Sequence, residues 1–163
     1  MKNKSIFILT LLVCLSSSAF AAIYPPYLFD NPSYQLIHAL QDKAIYMDSS
    51  SIVVKTNTTE ELLIAVNEVS ASFDYDRLTD IESFKAINQV RTLWYYKPLN
   101  KNKTYMTHVV IGGNDILLPP YIGEEYVYYS TDNGHSWMPF DTTVSSGPTR
   151  IRARAFKLVM QNI

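Results

Sequence analysis

Histidines, carboxylates and arginines are the groups through which a chain of this size would do acid–base or metal chemistry, and here they are sparse. His38, His108 and His135 are the only histidines. No two of them fall within the short spacings that local metal sites use, so they read as ordinary strand or turn residues, with no metal and no cofactor expected. Glu124 and Glu125 are adjacent, and neighbours on a strand point to opposite faces, which disqualifies them as a carboxylate pair. A hydrolase would have to assemble Glu124, His135 and an arginine such as Arg91 across a sheet, which no spacing requires. Asp74, Asp76, Asp80 and Glu82 lack the glycine and ligand alternation of a calcium loop and read as a solvated acidic loop. The candidate binding residues are aromatic instead. Tyr95, Tyr121 and Tyr128 are expected at the surface because their strand or loop neighbours leave an outward face open to them, the alternative being that they fill a second layer of the sheet.

The most specific local pattern is Ser130-Thr131-Asp132-Asn133-Gly134-His135-Ser136-Trp137, preceded by Tyr126-Val127-Tyr128-Tyr129. Asp132 can accept from turn N–H groups, Gly134 supplies a positive φ without steric cost, and Trp137 can fold back over the hairpin. The octapeptide resembles the Asp-box of sialidases and several unrelated secreted proteins, where the motif is a folding device placed away from the chemistry. A sialidase propeller would need several copies and a longer chain. The structural hairpin set is therefore Ser130, Asp132, Gly134 and Trp137.

These residues must be positioned by a chain whose start is distinctive. Lys2 and Lys4 precede the apolar run Ile6 to Leu15, broken only by Thr10, and Ser16 to Ala21 end in Ala-Phe-Ala. That layout is an export signal, with cleavage expected after Ala21, and the run is too short to span a bilayer. The expected location is extracytoplasmic: periplasm, cell surface or medium. The one cysteine, Cys14, lies inside this leader. Residues 22–163 therefore hold no thiol and must be stabilised by core burial, which 142 residues permit. They carry twelve basic and fifteen acidic residues, a net of −3, which argues against nucleic acid as a partner.

Residues 22–33, with Pro25, Pro26 and Pro32, read as an extended lead-in. From Tyr34 the pattern alternates with period two. Strands are expected at Ala44–Met47, at Ile52–Lys55 after a break at Asp48-Ser49-Ser50, and at Leu62–Ala71, which is apolar on both faces and so central. Phe73–Ser83 reads as irregular, and Thr79-Asp80-Ile81-Glu82 as a capping box opening a short helix over 80–88. Val90–Lys97 alternates again. Pro98 to Asn102 reads as a turn returning Thr104–Ile111 as its hairpin partner. Gly112 to Asp115 closes that strand, Pro119-Pro120 forbids pairing, and Glu125–Ser130 is the next strand. Ser146-Gly147-Pro148-Thr149 opens a C-terminal helix with the apolar stripe Ile151, Ala155, Leu158, Val159 and, one row over, Phe156 and Met160. Arg150, Arg152, Arg154 and Lys157 lie mostly off it. The expectation is one α+β domain over residues 34–163, a single antiparallel β-sheet of about six or seven strands with a C-terminal α-helix packed on one face.

From Ala44 onward, over about three-quarters of the chain, the order of features resembles small secreted bacterial proteins of the surface-adhesin protein E type. The residues that carry it are Ile45 to Ile52, Leu93-Trp94-Tyr95-Tyr96 and Trp137-Met138-Pro139-Phe140. The resemblance implies an antiparallel sheet with one terminal helix, displayed at the cell surface and binding host matrix. The family's cysteine pair is missing here. The expected function is an exported non-enzymatic binding module, adhesin-like, that meets a protein or surface ligand through aromatics and sheet edges. The alternatives are a small extracytoplasmic hydrolase and a periplasmic envelope-maintenance factor.

Overall fold

The computed structural model describes residues 24–76, 81–99, 107–111, 114–118, 125–147 and 149–163. The expected leader at 1–21, Tyr121, Glu124 and Pro119-Pro120 lie outside them. In chain order the elements are β1 (Tyr34–Leu40), β2 (Lys43–Asn57), β3 (Glu61–Asp76), β4 (Ile81–Pro98), β5 (Thr107–Ile111), β6 (Asn114–Leu118), β7 (Tyr126–Ser130), β8 (Met138–Asp141) and α1 (Arg150–Gln161). Six strands form a curled antiparallel sheet in the order β1-β2-β3-β4-β7-β8, while β5 and β6 pair only with each other. With one C-terminal helix on the sheet, the architecture is α+β.

Alternation along β3 explains how both faces are used. Leu62, Ile64 and Val66 point to one face and join Ile37, Met47, Leu93, Tyr95, Val127 and Phe140 under Ala153, Ala155, Phe156 and Val159 of α1. Each fully buried large side chain there contributes roughly 1.5–3 kcal/mol. Leu63, on the other face, packs with Tyr96, Tyr128 and Trp137. Further along that face Val69, Ala71 and Phe73 meet Tyr46, Ala44 and Leu28. Leu28 brings the lead-in into the core, and the Tyr24 hydroxyl fastens it by donating to the Gln41 carbonyl.

Four expectations are corrected. Residues 81–88 are strand, not helix, because β4 pairs with β3 from Ile81 to Pro98. The pairing contains two bulges: Ser70 faces Gln89 and Ala71 faces Ile87, skipping Asn88, and Ser72 faces Ala86 and Phe73 faces Phe84, skipping Lys85. One extra residue per repeat places Phe84, Ile87 and Val90 on the same face at a spacing of three, and this imitates helical periodicity. Next, Phe73–Asp76, expected to be irregular, continues β3. The Asp48-Ser49-Ser50 break is likewise internal to one strand. Ser50 N–H donates to Asp48 Oδ1 at 3.1 Å and Asn67 N–H to Ser51 Oγ at 2.8 Å, so turn-forming side chains close an irregularity without ending β2. Finally, Thr107–Ile111 does not return onto β4. Its partner is Asn114–Leu118, a strand the sequence reading missed, and β4 pairs at Trp94–Tyr96 with β7 instead.

Candidate functional site

The Ser130–Trp137 turn connects β7 to β8, and its polar groups are spent internally. Ser130 Oγ donates to Asp132 Oδ1 at 2.6 Å and accepts from the Gly134 N–H at 2.8 Å. Ser136 donates to Asp132 through both its N–H, at 2.9 Å, and its hydroxyl. Trp137 Nε1 donates to the Gly134 carbonyl at 3.0 Å, and its ring meets Tyr96 edge-on. Asn133 and Gly134 take φ of 58° and 84°, the left-handed region in which glycine is unstrained. The hydroxyls of Ser130 and Ser136, then the Ser136 and His135 N–H groups, hold the Asp132 carboxyl far below the usual carboxylate range. His135 is exposed on this turn, while Trp137 folds onto the face opposite to Arg91. The described residues thus do not bring His135 and Arg91 into one cleft.

The aromatic candidates need correction. Tyr95 and Tyr128 are each only 1% exposed. Tyr95 lies on β4 between β3 and β7, and Tyr128 on β7 between β4 and β8, so each has a neighbouring strand on both sides. Tyr95 packs against Phe140 and Phe156 beneath α1, and Tyr128 packs against Tyr96 beneath Trp137. Burial raises the Tyr95 hydroxyl well above the usual phenol range. That hydroxyl has no hydrogen-bond partner among the described residues, and neither does Trp94 Nε1.

Glu68 is the group the sequence reading missed. It sits on the helix-covered face, only 3% exposed, directly across from Arg91. Arg91 Nε donates to Glu68 Oε1 at 2.7 Å, and Arg152 Nη1 donates to Oε2 at 2.6 Å. Arg152, expected off the apolar stripe, therefore points inward, its guanidinium 5.2 Å from the centre of the Tyr129 ring. A buried carboxylate held by two guanidinium groups pins α1 to the sheet. Nearby, burial and then the charges of Arg150 and Arg154 lower the His38 pKa and favour neutral imidazole.

Beyond Glu68 the same face of β3 changes character. Ser70, Ser72 and Asp74 follow at period two, and with Asp42, Lys43, Phe73, Lys85, Asn88 and Gln89 they line an open cleft of about 730 Å³. Both bulge residues of β4, Lys85 and Asn88, are in this lining. An extra residue re-aims side chains that regular pairing would direct elsewhere, and bulges gather next to binding sites for that reason. The Asp74 carboxylate accepts from Lys85 Nζ at 2.9 Å. That bond and the charge of Asp74, with that of Asp42, raise the lysine's pKa and keep it cationic. The far wall is the β1–β2 turn, where Asp42 O accepts from the Phe73 N–H at 2.8 Å and Gln41 holds φ at 56°. Donors and acceptors therefore stand on fixed backbone. One sequence signal could have found the cleft: Phe84, Ile87 and Val90 recur every third residue inside a strand.

Comparison of the chain with protein-family models, with curated proteins and with solved structures finds no match in any of the three.

Proposed function

We propose that this protein is an exported, non-enzymatic binding module whose ligand seats in the cleft at the β4 bulges. The observation that supports this reading is the convergence of both bulge residues, Lys85 and Asn88, on a polar depression that α1 leaves uncovered. Three of the four ionisable groups among its described lining residues act on one another: Asp74 is bonded to Lys85, and Asp42 lies in the field of the same ammonium. This arrangement suits recognition by fixed hydrogen-bonding groups. The export half of the proposal rests on the basic, apolar and small-residue layout of residues 1–21.

Two measurements test it. In the native cells, mass spectrometry of fractions should find the chain beginning at Ala22 outside the cytoplasm; an intact leader on cytosolic material overturns export. For binding, a photo-crosslinking amino acid replaces Asn88, and a control carries it at the exposed helix position Lys157. Incubation with the cell envelope should give adducts at position 88 that excess unlabelled protein competes away. Equal yields at the two positions overturn the cleft as a binding site.

A further inference from the structure

The chemistry of the lining narrows the ligand. Among its described lining residues the formal charges cancel: Asp42 and Asp74 stand against Lys43 and Lys85. A polyanion would meet two carboxylates and a polycation two ammonium groups, each a like-charge penalty that the opposite pair only offsets. The remaining polar side chains, Ser70, Ser72, Asn88 and Gln89, are hydroxyls and carboxamides, which both donate and accept. Among the described lining residues the only apolar one, Phe73, is 2% exposed and meets the Tyr24 and Phe84 rings edge-on, so the surface the cleft offers is predominantly polar and suits a lipid or an apolar side chain poorly.

We infer that the cleft binds a neutral, polyhydroxylated chain, that is, an uncharged oligosaccharide. Sugar hydroxyls donate and accept at once, as do the amides and hydroxyls here, while carboxylates accept from sugar hydroxyls and ammonium groups donate to them. The volume is within the range of small-ligand sites, and the cleft is open to solvent. The groups stand on paired strands, so binding orders little of the protein. Among the described lining residues no exposed aromatic ring is placed to stack on a sugar face, so the interaction is weak and belongs to solution titration.

This inference rests on the binding-module reading and deepens it, and the experiment separates the two. Backbone amide NMR of the folded chain is followed while maltotetraose, cellotetraose and chitotetraose are added singly. A sulfated heparin tetrasaccharide and spermine serve as charged comparators. The expected result is a saturable shift of the Ser70, Ser72, Asn88 and Gln89 signals with at least one neutral tetrasaccharide. Replacing both amides, Asn88→Ala with Gln89→Ala, should weaken it about tenfold or more, as loss of one or two hydrogen bonds predicts. The Lys157→Ala control should leave it unchanged. Failure of all three neutral sugars, or tighter binding of the sulfated one or of spermine at the same residues, overturns the inference. If the neutral sugars fail while position 88 still crosslinks specifically to a polypeptide, only the ligand assignment falls. If neither occurs, the binding-module reading falls too.

Discussion

One face of the β3–β4 pair is built in two halves by the same alternation. From Leu62 to Val66 its positions are apolar and lie under α1; from Ser70 to Asp74 they are polar and open to solvent. Glu68 stands at the border, buried like the first half and ionic like the second. Backbone pairing runs through both halves, so the sheet alone does not make one end core and the other cleft. Two things do: where the helix ends its cover, and where β4 carries its extra residues. The covered half resists change because every side chain has neighbours on all sides. The open half tolerates change because its groups answer to water.

The covered half should show the largest response to substitution. Phe156→Ala removes a ring packed against Tyr95 and Phe140. It should cost about 4 kcal/mol in urea unfolding. A loss under about 1 kcal/mol would show that α1 is not what distinguishes the halves. At the border, Glu68→Ala leaves two guanidinium groups without their carboxylate, though both keep some solvent contact. About 3 kcal/mol should be lost. The double variant with Arg152→Ala should lose less than the sum of the two single changes, because the pair is coupled.

The Ser130–Trp137 turn sharpens the contrast in a different variable. Its Asp132 is exposed like the cleft but bonded like the core, and that carboxyl sits far below the usual range. A depressed folded pKa contributes stability that is fully present above the unfolded carboxylate range and is lost as pH falls through the folded value. The stability gap between the wild type and Asp132→Asn should therefore be full at about pH 6 and shrink below about pH 4. A gap that does not narrow on acidification would count against the hydrogen-bonded carboxylate. The smallest effect belongs to the open half. Deleting Asn88 leaves Gln89 opposite Ser70 and Ile87 opposite Ala71, which is regular pairing. Unfolding free energy should change by no more than about 1 kcal/mol. A collapse of the fold would show that the bulge is structural.

Much of the frame was legible because it depends on local periodicity. The central strand with its two apolar faces, the hairpin around Asp132 and Gly134, and the terminal helix each follow from side chains that repeat along their own segment. The strand 81–88 was not legible. Its apolar residues are three apart because the partner strand forces two residues outward, and a single segment carries no record of its partner. The same limit misplaced Thr107–Ile111, whose pairing with Asn114–Leu118 won over a longer hairpin to β4.

By itself the sequence determined the alternation of Leu62–Ala71 and of Val90–Lys97, the turn at Asp132-Asn133-Gly134, and that residues 22–163 have no thiol to hold them together. It also gave the turn around Asp132 every group it uses, since those groups lie within eight residues of one another. Only the tertiary structure decided that Tyr95 and Tyr128 are core, that Glu68 meets Arg152 across 84 positions, and that Lys85 and Asn88 open onto a cleft. The physical reason is that burial and pairing are properties of neighbours brought together by folding. A side chain's own type and spacing set its preferences, and the opposing strand and covering helix decide which of them is met.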